Sequence, residues 1–131
     1  MTTWKITLLA TQWLLLSAQT IPDSQRIPSI NPQPMLPMAL QEQILPPKQF
    51  DRDYDGELEL HHMSAQDVIR ICGPAVKTPG RQAIACARAF LGVPKRCIVF
   101  IMTESELARR GWSYDIILRH ELGHCHGWHH D

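Results

Sequence analysis

The segment from His120 to His130 spaces histidine, glutamate and glycine in the pattern H-E-x-x-H-x-x-G-x-x-H. Residues four apart lie on one face of a helix, so His120 and His124 can direct ring nitrogens at a single ion. Glu121 follows the first histidine, where a carboxylate can reach a metal-activated water without being a ligand. Gly127 can take the left-handed conformation that ends a helix, which lets His130 complete the set. The pattern therefore predicts a zinc site of three nitrogens with an open fourth position.

Neighbouring residues leave alternatives open. His129 and Asp131 compete with His130 for the role of third ligand, and His130 is preferred. His126 lies off the face shared by the two helical histidines and is predicted to be a solvent-exposed residue at the helix end. Trp128 is expected to pack over that end. Glu121 could instead pair with a base such as Arg119, which would make it a surface carboxylate.

This segment resembles the zincin metallopeptidases, and its extended form is similar to the metzincin branch. It also resembles small bacterial and phage zincin-like proteins with a His-Glu-Leu-Gly-His-Cys core followed by Gly-Trp. The motif covers about a dozen residues, with a weaker likeness over residues 51–59 and the first three cysteines. The resemblance implies zinc held by His120, His124 and His130, Glu121 as general base, and hydrolysis of peptide bonds. Metzincins place a methionine turn after the third histidine, and this sequence, which ends at Asp131, has no counterpart to it.

Three regions divide the chain of 131 residues. Residues 1–19 are predicted to be a signal peptide, because Lys5 precedes an apolar run that is too short and too interrupted to span a bilayer. Residues 20–49 hold seven of the ten prolines and are predicted to form a disordered spacer. Residues 50–131 form the expected zincin-like metallopeptidase domain. The protein is then secreted or periplasmic.

Four cysteines in an exported chain indicate two disulfides rather than thiolate ligands. The sequence allows three pairings. We favour the local pair Cys72–Cys86 together with Cys97–Cys125, which would tie a strand to the zinc helix.

The segment patterns predict an α+β fold: a small antiparallel or mixed sheet packed on a C-terminal zinc-binding helix. The alternation from Glu57 to Leu60 and the apolar run Cys97 to Met102 indicate strands. Residues 82–90 stay ambiguous, because their alanines favour helix whereas the zincin resemblance favours a strand. Helices are expected after caps at three residues, namely Ser64, Thr103 and Ser113.

Carboxylates at Asp51, Asp53 and Asp55 resemble the first half of a calcium loop, but the twelfth position is His62 where a bidentate glutamate is required. A turn at Asp55-Gly56 is the preferred interpretation. His61 and His62 are expected to lie outside the site.

Zinc-dependent peptide-bond hydrolysis is the favoured function, with a peptide or protein as substrate. A non-catalytic exported protein with structural zinc is one alternative, and a calcium-stabilised interaction module is another. Zero formal charge and the lack of a basic cluster argue against a nucleic-acid partner. We expect no stable membrane span and a monomer.

Overall fold

The computed structural model describes residues 32–130 of the chain. The helices are α1 (Met38–Gln41), α2 (Ala65–Cys72), α3 (Glu104–Arg109) and α4 (Tyr114–Cys125), and the strands are β1 (Glu57–Met63), β2 (Ala85–Phe90) and β3 (Arg96–Met102). Short 3-10 turns follow α1 and α2, at Glu42–Ile44 and Gly73–Ala75. The small α+β fold agrees with the prediction. The predicted signal peptide lies outside the described residues, and within them no helix has the length and apolar character needed to cross a membrane.

The three strands form one mixed sheet in the order β1-β3-β2. β1 and β3 are parallel, with Glu57 opposite Arg96, whereas β2 runs antiparallel to β3. The central strand is the apolar run that the sequence singled out. Its alternate residues Cys97, Val99 and Ile101 have no exposed surface. These side chains form the core between the sheet and α4, which packs against both β2 and β3.

The ambiguous stretch at residues 82–90 forms a strand over Ala85–Phe90. Its alanines have a high intrinsic helix propensity, but that preference amounts to only about 0.5 kcal/mol per residue. Pairing of the whole of β2 with β3 and the covalent link at Cys86 outweigh this preference. The zincin resemblance therefore favoured the correct secondary structure here.

Two of the three predicted helix caps are made. The side-chain oxygens of Ser64 and Thr103 accept hydrogen bonds from the backbone N–H groups of Asp67 and Glu106. Ser113 occupies the predicted N-cap position directly before Tyr114, but its side chain makes no capping hydrogen bond. Its backbone N–H instead donates to the side-chain oxygen of Gln41.

Both disulfides have the favoured pairing. Cys72–Cys86 joins α2 to β2, and Cys97–Cys125 joins β3 to the last residue of α4. All four cysteines are therefore paired, and none is left as a thiolate ligand. The second bond fixes the C-terminal end of α4 against the central strand.

The described part of the predicted spacer, residues 32–49, lies against the domain, so the folded unit begins before Phe50. We call residues 33–46 the strap. Backbone N–H groups of Gln33 and Leu36 donate to the carbonyls of Arg109 and Gly111, at 2.8 Å in both cases. Prolines fix φ and remove donors, but they do not prevent a segment from packing. The strap lacks proline between Pro37 and Pro46, and there it forms α1 and its 3-10 turn.

Candidate metal centre

α4 carries the first two histidines on one face and ends in a hydrogen-bonded turn that redirects the chain. Gly127 has φ +88°, as its position in the pattern predicted. Its N–H donates to the His124 carbonyl at 2.9 Å, and the N–H of Trp128 donates to the Gly123 carbonyl at 3.0 Å. These two bonds are those of a Schellman motif, which satisfies the final helical carbonyls. The turn brings His130 back over the helix.

The three predicted ligands converge. Nε2 of His120 lies 3.3 Å from Nε2 of His124 and 3.2 Å from Nε2 of His130. One ligand atom from each of the three residues falls within 4.8 Å of the others, so the group could hold a metal ion. The two helical rings are half-buried, whereas His130 is exposed. Of the two alternatives to His130 as third ligand, His129 is not a member of this group, and Asp131 lies outside the described residues.

Backbone carbonyls fix the tautomers of the two helical histidines. Nδ1 of His120 lies 2.5 Å from the carbonyl oxygen of Ile44, and Nδ1 of His124 lies 2.7 Å from that of Trp128. A carbonyl only accepts, so Nδ1 carries the proton in each ring. A neutral imidazole has a single N–H, and each Nε2 therefore presents a lone pair to the other. Two lone pairs 3.3 Å apart repel unless a cation or a proton lies between them.

The nitrogen spacing suits a tetrahedral metal. With metal–nitrogen bonds of 2.0–2.1 Å, two ligands of a tetrahedral zinc are separated by about 3.3 Å. The observed separations of 3.3 and 3.2 Å match that value. Desolvation lowers the pKa of both His120 and His124, which favours the neutral, ligating form of each ring. The residues present thus fit a metal in geometry, tautomer and charge.

Glu121 is a buried carboxylic acid, with only 5% of its surface exposed. It lies one turn from Ile117 and from Cys125, on the face of α4 that packs against the sheet. Its Oε2 atom has no hydrogen-bond partner among the described residues. Burial raises the pKa of this carboxyl to about 8. A buried acid without a hydrogen-bond partner is most stable when it is protonated or close to a cation.

Glu121 does not pair with Arg119, the surface alternative raised by the sequence. The Arg119 guanidinium forms a bidentate ion pair with Asp51, in which Nε donates to Oδ1 at 3.0 Å. It lies 3.9 Å from Asp115, one turn earlier on the helix. The Glu121 carboxyl is therefore not neutralised by Arg119.

Aromatic side chains pack against the histidines of α4. Trp128 stacks on His124 with ring centroids 5.1 Å apart, and it meets the ring of His120 edge-on at the same distance. The prediction that Trp128 packs over the helix end is thus confirmed. His126 lies at the end of α4 and outside the ligand group, as predicted. Its ring is only partly exposed: it lies 5.4 Å from the Tyr54 ring, and Nε2 lies 3.2 Å from the carbonyl oxygen of Arg52.

Residues 51–59 provide no second metal site. Asp51 is paired with Arg119, and Asp55 lies 3.4 Å from Lys95. Within residues 32–130 the three histidines form the one group with metal-ligand spacing. His62 lies apart from that group, with Nε2 2.7 Å from the hydroxyl of Tyr114. Calcium-binding oxygen ligands are therefore not assembled in this part of the chain.

Sequence reasoning missed the contribution of the strap to the site. The contact to His120 is made by the backbone carbonyl of Ile44, and every residue has such a carbonyl, so the residue type at position 44 does not indicate the contact. Gln41 and Pro46 were assigned to the spacer, but both are buried against α4. A weak signal was present, because Met-Ala-Leu-Gln-Glu-Gln-Ile-Leu between Pro37 and Pro46 has a composition compatible with helix.

Comparison of the chain with protein families, curated proteins and solved structures found no match. The geometry of the site is therefore the basis for inferring its function.

Proposed function

We propose that this protein is a zinc-dependent peptidase whose metal is held by His120, His124 and His130. The observation that carries the proposal is the orphaned Glu121 carboxyl, buried on the same helix as two converging histidines. A structural metal site needs no unpaired acid beside it, and a buried unpaired acid is costly to keep. A hydrolytic site requires such a group to move protons.

Zinc is the metal that best suits the donor set, because three neutral imidazoles in tetrahedral spacing leave one position open. Zinc bound there would polarise the carbonyl under attack and lower the pKa of water at the site. Glu121 would accept the proton from the attacking water and pass it to the leaving amine.

β2 offers a place for an extended peptide. It is an edge strand, and no described residue pairs with its outer side. An unpaired edge can bind a peptide as an added strand through main-chain hydrogen bonds. Leu91, directly after β2, lies at the turn after α4: a Cβ placed on Gly127 would be 3.7 Å from its Cδ1. A peptide on this edge would thus pass beside the turn that leads to His130.

The two disulfides support export of the protein. Disulfides persist in oxidising compartments and are rare in the reducing cytosol. We propose a secreted or periplasmic location, with the N-terminal signal peptide directing export and the metal retained in the mature protein. The substrate would then be a peptide or protein met outside the cytoplasm.

The decisive experiment replaces Glu121 by Gln and uses Asp115→Asn as the matched control. Both changes neutralise a carboxylate on α4, but Asp115 is exposed and lies at the other end of the helix. Glu121→Gln should keep zinc and lower the hydrolysis of casein or peptide mixtures by about 100-fold or more. Asp115→Asn should leave both properties unchanged. Chelator should abolish the native activity.

A structural zinc site is the second candidate. Its support is the proximity of Trp128, whose ring lies 5.1 Å from both helical histidines and narrows access to them. In that case the native protein would bind zinc, no chelator-sensitive hydrolysis would be found, and Glu121→Gln would change only stability. Cleavage that survives Glu121→Gln unchanged would refute the proposed mechanism.

A further inference from the structure

The strap follows α4 along most of its length. Its contacts advance in step with the helix: Leu36 bonds to Gly111 before the helix begins, and Ile44 reaches His120 in the middle. At the far end, a Cβ placed on Gly123 would lie 2.7 Å from Cβ of Pro46, so glycine is required for this approach. The strap is therefore in close contact with the helix beside the first ligand and beside the residue before the second.

Gln41 is the polar anchor of the strap. Its side chain is only 1% exposed, which is unusual for glutamine. Oε1 accepts a hydrogen bond from the N–H of Ser113 at 2.7 Å, and Nε2 donates to the Leu36 carbonyl at 2.7 Å. Both ends of the buried amide are thus satisfied. The anchor joins the strap to the residue that precedes α4.

The carbonyl that orients His120 belongs to Ile44, three positions after this anchor. Residues Glu42–Ile44 form a continuous 3-10 turn after α1, so a shift of Gln41 would be transmitted directly to Ile44. The Ile44 carbonyl holds the proton of His120 on Nδ1 and leaves Nε2 free to bind a metal. Without that carbonyl, His120 could place its proton on Nε2 and lose its ligand atom.

We infer that the strap is a working part of the metal centre and that Gln41 is its positioning residue. Gln41 contacts neither metal nor substrate and acts through Ile44 and His120. The inference rests on the metal site of the proposed function and is independent of hydrolysis. It assigns a role in metal binding to a segment whose composition indicated only a spacer.

The test compares Gln41→Met with Gln43→Met. Both glutamines belong to the strap, but Gln43 is exposed. The comparison therefore distinguishes the loss of the buried anchor from a general effect of replacing glutamine by methionine in this segment. Gln41→Met should weaken zinc binding, measured by chelator competition, by about 10- to 100-fold, as expected when a partner of a ligating histidine is disturbed. Gln43→Met should bind zinc like the native protein. The absorption spectrum of the cobalt-substituted protein should change for Gln41→Met alone.

A second readout does not need metal. NMR of nitrogen-labelled histidine rings in the metal-free protein should show the proton of His120 on Nδ1 in the native chain and in Gln43→Met. In Gln41→Met the ring should become a mixture of tautomers. Equal zinc affinities and an unchanged His120 tautomer in both variants would overturn the inference. Native protein that binds zinc and shows the expected tautomer shift, but has no chelator-sensitive hydrolysis, would instead refute the proposed function alone.

A further variant keeps the test decisive if Gln41→Met does not fold. Gly123→Ala should push Pro46 away from α4, whereas Gly73→Ala, at the end of α2, meets nothing within 4 Å. The added methyl group would also lie 3.0 Å from the Trp128 ring, so the tautomer of His120, rather than zinc affinity, is the measurement that reports on the strap. Gly123→Ala should therefore weaken zinc binding and disturb the tautomer of His120, and Gly73→Ala should do neither. Native behaviour of Gly123→Ala in both measurements would also overturn the inference.

Discussion

His124 and His120 receive the same support from two different regions of the molecule. Nδ1 of His124 is held by the carbonyl of Trp128, four residues later in the turn that ends α4. Nδ1 of His120 is held by the carbonyl of Ile44, 76 residues earlier in the strap. One support is local and is encoded beside the ligand. The other exists only because the chain folds back along the helix.

This difference shows that a ligand motif can be complete in sequence while its outer support is not. A glycine three residues after His124 ensures a turn, and the turn delivers the Trp128 carbonyl. Nothing near His120 specifies where its Nδ1 proton goes. The local and the remote support can be tested separately, since each has residues that the other does not use.

Removing a ligand should have the largest effect on zinc binding. The loss should be the same for His120, which has remote support, and for His124, which has local support. His120→Ala and His124→Ala should each abolish stoichiometric zinc binding, because two imidazoles alone hold zinc poorly. Metal analysis of the purified proteins checks this, with His129→Ala as the control. His130→Ala should weaken binding more than His129→Ala or Asp131→Ala. A costlier loss at Asp131 would show that the third ligand is misassigned.

Removing the disulfide at the end of α4 should have the second largest effect. Cys97 and Cys125 are 28 residues apart in the sequence. A disulfide that closes a loop of this size stabilises a fold by about 3.5 kcal/mol. The double variant Cys97→Ala, Cys125→Ala should lose about that much in denaturant unfolding. It should also weaken zinc binding, because Cys125 directly follows His124.

The double variant Cys72→Ala, Cys86→Ala provides the comparison. Its loop is shorter, with a separation of 14 residues, and it should cost about 3 kcal/mol. Since α2 holds no ligand, zinc binding to the folded protein should stay near native. Equal zinc affinities in the two double variants would mean that the disulfide beside His124 has no special role at the site.

The local support can be tested at Gly127. A side chain at φ +88° costs about 1–2 kcal/mol in strain, and the nearest atom, on Leu91, is 3.7 Å away and leaves room for a methyl group. Gly127→Ala should therefore lower the free energy of unfolding by that amount and weaken zinc binding. Gly80→Ala, at φ +78° in open space, should lower stability similarly with zinc binding retained. Matching zinc affinities would indicate that the turn does not position His130.

The smallest effect is expected at a second remote contact on α4. The Arg119 guanidinium lowers the pKa of Asp51, chiefly by hydrogen bonding. Because the folded pKa lies below the unfolded value of about 3.9, the ion pair stabilises the fold above that pH and loses its contribution as pH falls through the folded pKa. Arg119 is 39% exposed, so solvent screening keeps the effect of Asp51→Asn below about 1 kcal/mol.

Urea unfolding at about pH 7 and about pH 2 measures this difference, which should vanish at the lower pH as Asp51 becomes protonated. Asp53→Asn, an exposed neighbour, is the control. A difference that persists unchanged in acid would show that Asp51 acts through packing and not through its charge.

Much of the site could be predicted from the sequence because its rules are local. Helical periodicity placed His120 and His124 together, and the glycine after the helix placed His130 above them. The central strand and two of the helix caps followed from patterns within a few residues. The favoured disulfide pairing was also correct, and it linked the strand and helix that the patterns had already identified.

The tertiary structure alone decided what surrounds those residues. Residues 82–90 became a strand because pairing with β3 outweighed the helix propensity of alanine. Ser113 lost its expected capping role, and its N–H binds Gln41 instead. The strap, read as a spacer from its prolines, packs on α4 and orients His120. The physical reason is the same in each case: these outcomes depend on backbone groups and contacts between residues far apart in the chain, and residue type and spacing do not specify such contacts.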